Sequence, residues 1–177
     1  MDKKEIITHL KDNYAAFVQM IEAMSEEDFL FTTDNKWTPG QQADHILRSI
    51  KPVNMAFAIP IFVLDLVFGK ANRQSRSYAG LVHRYFDKLA EGGKASSRYI
   101  PPAISFKRKK RICKSITATI AALIKKVAKY SEEDLDDFIL PHPLLGKVTL
   151  REMLYFTAYH VDHHKTNIKE LLSYKPA

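Results

Sequence analysis

Cysteine is almost missing from this chain. Its one thiol, Cys113, has no internal disulfide partner and cannot build a thiolate zinc cluster. Any metal site must therefore rest on nitrogen and oxygen ligands, and a reducing cytoplasm is the expected home. Long apolar runs are also missing. The most hydrophobic stretch, Met55 to Phe68, contains Pro60 and Asp65. It falls short of the roughly 20 apolar residues that a spanning helix needs. It reads as a buried core helix or a subunit contact, and no membrane is expected as a partner. The start, Met1-Asp2-Lys3-Lys4-Glu5-Ile6-Ile7, has no apolar run of signal-peptide type after its charges.

What is present is ordinary globular composition. The 177 residues, 46% hydrophobic and 27% charged, suit a single domain over 1–177 with a core of its own. The net charge of +7 is regional: residues 70–114 hold thirteen Lys and Arg against Asp87 and Glu91, and the rest of the chain is net acidic.

Apolar periodicity predicts helices and little else. Ile6, Ile7, Leu10, Tyr14, Phe17, Val18 and Ile21 mark a first helix from about Asp2 to Ala23. Thr38-Pro39-Gly40-Gln41 is a capping box with proline at the first helical position. It opens a second helix through His45 to Pro52, which should kink or end it, with the apolar stretch 53–68 continuing in the same direction. A third helix is expected from Tyr78 to Ala90, and a fourth from Ile112 to Lys129 with Ile112, Ile116, Ile120, Leu123, Ile124 and Val127 facing inward. Between them, Lys94 to Arg111 reads as a long, partly mobile crossover loop within a basic insert of about 70–111. The fifth helix starts at the Thr149/Glu152 capping box and runs to Ser173. Phe138-Ile139-Leu140 looks extended but too isolated for a sheet. A weak repeat joins Ser25-Glu26-Glu27-Asp28 with Ser131-Glu132-Glu133-Asp134, each followed by a helix that carries histidine. It is either two hairpins with approximate two-fold symmetry or the same helix-start signal used twice. The architecture is all-α, a four-helix bundle with one long crossover.

Three of the seven histidines crowd into Tyr159-His160-Val161-Asp162-His163-His164. With Leu150 at zero and about 100° per residue, the core residues Leu154, Val161, Ile168 and Leu172 fall within about 40° of one another. His164 then lies at about −40°, His160 at about −80° and His163 at about −140°. His164 borders the core, His160 flanks it and His163 points to solvent. His160 and His164, four apart, stack on one side of the helix and can share one ion. There is no Glu after His160, so no H-E-x-x-H protease motif exists. A catalytic ion takes three protein ligands and leaves a position open. His45, in a polar stripe with Gln42 and Ser49, is the best third candidate, although it sits well off the centre of Ala43, Ile46, Ile50 and Phe57.

Trp37-Thr38-Pro39-Gly40-Gln41-Gln42-Ala43-Asp44-His45-Ile46 and Tyr159-His160-Val161-Asp162-His163-His164 together resemble the DinB/YfiT-like family of four-helix-bundle metalloproteins. The resemblance covers nearly the whole chain in element order. It implies metal ligands at His45, His160 and His164, with His163 outside the ligand set. It also implies an open site, nickel or zinc as the divalent ion, and frequent homodimers. Family chemistry ranges over thiol S-transfer with a low-molecular-weight thiol and metal-dependent hydrolysis. The basic insert, longer than in a plain member, sets this chain apart.

Two classes of function follow. In an enzyme, the ion would act as a Lewis acid on water or a thiol, with hydrolase or S-transferase chemistry on a small molecule. No strong general base stands out, and Asp44, Asp162 and Asn167 are near the histidines without an assigned role. The inert counterpart is a bundle that the metal only staples. The second class is a nucleic-acid or anion-binding module built on residues 94–114, with Phe106-Lys107-Arg108-Lys109-Lys110-Arg111, Arg73, Arg76, Arg84, Arg98 and Tyr99. No helix-turn-helix or finger pattern supports it, and nucleic acid is not an expected partner. The same charges could instead steer an acidic substrate or thiol toward the metal.

Overall fold

Eight helices and one short hairpin make up the computed structural model, which describes residues 1–34 and 36–176. Helix α1 (Lys3–Ala23) begins at a capping box between Asp2 and Glu5 and buries Ile6, Leu10, Tyr14, Phe17 and Ile21. That spacing of three and four residues is one helical face. Helix α2 (Glu26–Leu30) is a single turn or so, capped by Ser25, and buries Phe29. Helix α3 (Pro39–Ala56) starts at the Thr38/Gln41 box.

Pro52 does not end α3, which runs on to Ala56. The break comes later, and it is sharp: α4 (Ile61–Phe68) leaves at 106° to α3. The expected straight continuation of 53–68 is therefore wrong. Pro60 disfavours helical backbone at Ile59, and the buried Tyr130 hydroxyl lies within hydrogen-bonding reach of the Phe57 and Ile59 carbonyls freed there. Among the described residues no single helix is long and apolar enough to cross a membrane.

Helix α5 (Tyr78–Ala90) is capped by Ser77. Two short 3-10 turns, Ser97–Tyr99 and Phe106–Arg108, lead into α6 (Lys109–Val127). This helix begins three residues before the expected Ile112, with cations in its first turn, where the helix dipole disfavours them. The compensation lies across the bundle. Lys109 Nζ donates to the Glu22 and Met24 carbonyls at the C-terminal end of α1, where a cation is favoured.

Helix α7 (Glu132–Asp137), capped by Ser131, repeats α2 in the second half of the chain. Both halves thus run long helix, short serine-capped helix, long helix. The extended run after α7 is not isolated. Strand β1 (Ile139–His142) pairs antiparallel with β2 (Gly146–Thr149), in register from Ile139 opposite Thr149 to His142 opposite Gly146. Gly146, at φ 76°, supplies the left-handed residue that the tight connection requires. Thr149 then caps α8 (Leu150–Ser173).

The bundle is formed by α1, α3, α6 and α8. Each of α1 and α3 packs mainly on α6 and α8, so the two helices of each half sit diagonally. Helix α5 covers the outer side of α8, and α4 lies against β1. The basic insert is anchored at its start, while most of Lys94 to Arg111 stays exposed. Arg73 forks onto Glu152 with two bonds of 2.7 Å, the Arg76 amide and guanidinium reach the same carboxylate, and Glu152 has no solvent exposure. A buried carboxylate is tolerable only when so paired. The pairing pins the start of the insert to the N-terminal turn of α8.

Candidate metal centre

Helix α3 brings His45 to the face of α8 that carries His160 and His164. All three imidazoles are buried, and each offers a ring nitrogen within 4.8 Å of the others. The His45 and His160 Nε2 atoms are 3.2 Å apart. Two imidazole nitrogens bound to one tetrahedral ion with bonds of about 2.05 Å stand about 3.3 Å apart. Two lone pairs at such a distance repel unless a proton or a shared cation lies between them.

The far side of two rings is already committed. His45 Nδ1 donates to the Tyr99 carbonyl at 2.8 Å, and His164 Nδ1 donates to Gln42 Oε1 at 2.9 Å. Gln42 is itself oriented by donating Nε2–H to the Trp37 carbonyl. A proton on Nδ1 leaves the Nε2 lone pair free, the arrangement that metal-binding histidines use. Phe156 stacks on His160 with centroids 4.8 Å apart, and Trp37 lies against His45. Burial in this apolar wall lowers the basicity of all three rings, most strongly at His160 and His164, and the neighbouring imidazoles add to the effect. The rings are neutral at neutral pH, as ligands must be. The donor set fits a divalent ion of zinc or nickel type.

A family model for the DinB superfamily matches residues 9–168. The chain belongs to the DinB superfamily. No curated protein matches it.

In this DinB-superfamily chain the three histidines form part of the wall of a cavity of about 940 Å³. Its wall is mostly apolar, with Tyr85, Phe156, Leu140 and Met153 among the lining, and Lys36, Lys94 and Arg98 also reach it. The crossover segment closes one side. Gly93 to Ser96 and Arg98 to Ile100 line the cavity, and the Tyr99 carbonyl holds His45 directly. That contact is made by backbone, so no side-chain pattern could have announced it.

His45 sits off the apolar stripe of α3 because α3 has two buried faces. Ala43, Ile46 and Ile50 enter the core, while Gln42, His45 and Ser49 line the cavity. His163 departs from expectation. It is half-buried rather than turned to solvent, packed near Tyr85, Phe86 and Tyr159. Helix α5 covers that side of α8, which the periodicity of α8 alone does not reveal.

Of the three unassigned polar neighbours, Asp44 is buried and pairs with Arg48 at 2.6 Å and with Arg108 at 3.8 Å. Asp162 pairs with Lys165. Asn167 faces His163 Nε2 and the cavity. None of them bonds a ring of the triad among the described residues. Gln42, Tyr99 and His142 were missed as cavity groups. Gln42 carried a visible signal in its polar stripe with His45, and His142 carried one in its place between Pro141 and Pro143.

Proposed function

We propose that this chain binds one divalent metal ion, zinc or nickel, through His45, His160 and His164, and that it acts as an enzyme on a small molecule held in the cavity. The observation that carries this reading is the convergence of three buried, neutral imidazoles on the wall of a large cavity. A purely structural ion would be closed by a fourth protein ligand. Among the described residues no fourth His, Cys, Asp or Glu joins the cluster.

A bound ion would supply Lewis acidity, lowering the pKa of a water or a thiol at its open position. The protein does the rest. Tyr99 and Gln42 orient His45 and His164, the aromatic wall excludes water, and Lys36, Lys94 and Arg98 favour an anionic group on the substrate or on a low-molecular-weight thiol. Hydrolysis and thiol S-transfer both suit this arrangement. The basic run supports nucleic-acid binding less well, because Arg108 is engaged with Asp44 and Lys109 with the end of α1.

We further infer a homodimer in a reducing cytoplasm. The exposed Phe62, Leu66 and Val67 of α4 suit cover by a second copy, and the free Cys113 is buried. The functional test is ester hydrolysis and thiol conjugation by metal-loaded and chelated protein, beside His160→Ala. Turnover that needs both metal and His160 is expected. Equal turnover by all three samples would refute the enzyme reading.

A further inference from the structure

His142 ends β1, and its ring is committed in the opposite sense to the rings of His45 and His164. Its Nδ1 accepts two backbone bonds, from the Leu144 amide at 3.2 Å and the Leu145 amide at 3.0 Å. A ring nitrogen that accepts is the unprotonated one, so the single proton of the neutral ring sits on Nε2. The ring lines the cavity, and no described residue accepts from Nε2. Its ring and that of Phe156 meet in a T-shaped arrangement at 4.2 Å between centroids, and Phe156 stacks in turn on His160. The donor is thus one aromatic ring away from the three-histidine centre.

We propose that His142 Nε2–H is a fixed hydrogen-bond donor that receives a carbonyl oxygen of the bound molecule, so that the cavity selects small, mainly apolar carbonyl compounds such as ketones, esters or amides. This rests on the reading of the cavity as a substrate site, but not on metal being bound. The ring cannot invert its role without losing both turn bonds, and burial pushes its basicity down, to about 4, so it stays a neutral donor across the physiological range. A neutral N–H donor favours a carbonyl oxygen over an ammonium group or a hydrocarbon of the same shape. The aromatic and aliphatic lining suits the remainder of such a ligand.

The test uses chelated, metal-free protein and two probes of the same shape, acetophenone and α-methylstyrene, in which a methylene replaces the carbonyl oxygen. His142→Asn keeps an oxygen acceptor for the Leu144 and Leu145 amides, and its own N–H donor stands back from the position of Nε2, short of a carbonyl placed for the imidazole. Expected is an about five-fold loss of acetophenone affinity in His142→Asn with α-methylstyrene unchanged. In wild-type protein, imidazole nitrogen NMR should place the proton on Nε2 and move that signal on adding acetophenone. Wild-type acetophenone affinity in His142→Asn, equal losses for both probes, no acetophenone binding at all, or a proton on Nδ1 would each overturn the proposal. Metal uptake by the same proteins separates the two readings. Absent uptake with the probe preference intact defeats the metal centre alone, and normal uptake with no preference defeats the donor alone.

Discussion

Acid should destabilise the metal-free fold in part through His142, and the size of that part follows from its setting. The unfolded chain takes up a proton at this ring as pH falls through its ordinary value of 6.5, whereas the folded chain refuses it until about 4. The unfolded state binds the extra proton within that window, so the stabilisation present above it is lost on acidification. Each pKa unit is worth about 1.4 kcal/mol, which makes the whole window about 3 kcal/mol. Between about pH 7 and about pH 4.5 the loss is about 2 kcal/mol. His142→Asn removes the titrating ring while leaving an acceptor for the turn amides. Urea unfolding of both proteins in chelator at the two pH values isolates the ring, because His45, His160, His163 and His164 titrate in both and cancel. Wild-type protein should lose about 2 kcal/mol more than the variant on acidification. Equal losses would show that the folded ring accepts a proton freely, and the argument for a fixed tautomer would fail with it.

Three further outcomes are expected. A Cβ added at Gly40 would stand 2.4 Å from Cε1 of the fully buried Phe29. Gly40→Ala should therefore cost about 1–3 kcal/mol by urea unfolding, and a neutral result would mean that α2 yields easily. Arg73→Met strips a forked partner from buried Glu152 but leaves Arg76 in place. It should destabilise by about 2 kcal/mol, short of the about 3–5 kcal/mol for a buried charge left alone. Metal on His45 Nε2 should strengthen its Nδ1–H bond to Tyr99 and slow tryptic cleavage at Lys94 and Arg98. Unchanged cleavage would separate the crossover segment from the metal centre.

The helices were legible because their signals are local. The Thr38/Gln41 and Thr149/Glu152 boxes cap the helices they were expected to cap, and the apolar spacing of α1 matches its buried face. His160 and His164 could be separated from His163 as metal candidates because one helix fixes all three bearings. What escaped was tertiary. The turn after α3 depends on Tyr130, 73 and 71 residues away in sequence from the carbonyls it meets. The burial of His163 depends on α5, and the anchoring of the start of the insert depends on Glu152. The β1–β2 pair went unseen because Phe138-Ile139-Leu140 shows its partner only once Gly146 has turned the chain back. His45 is the instructive case. Its own periodicity placed it poorly because α3 buries a polar face as well as an apolar one, and only the packing of α3 against α8 brings it to His160.

The central claim is that His45, His160 and His164 together hold one divalent ion. Elemental analysis of wild-type protein beside His45→Ala, His160→Ala, His164→Ala and His163→Ala tests it most directly. One ion per chain in wild type and in His163→Ala, with loss in the other three, is the predicted result. Equal metal content in all five proteins, or loss in His163→Ala alone, would contradict it.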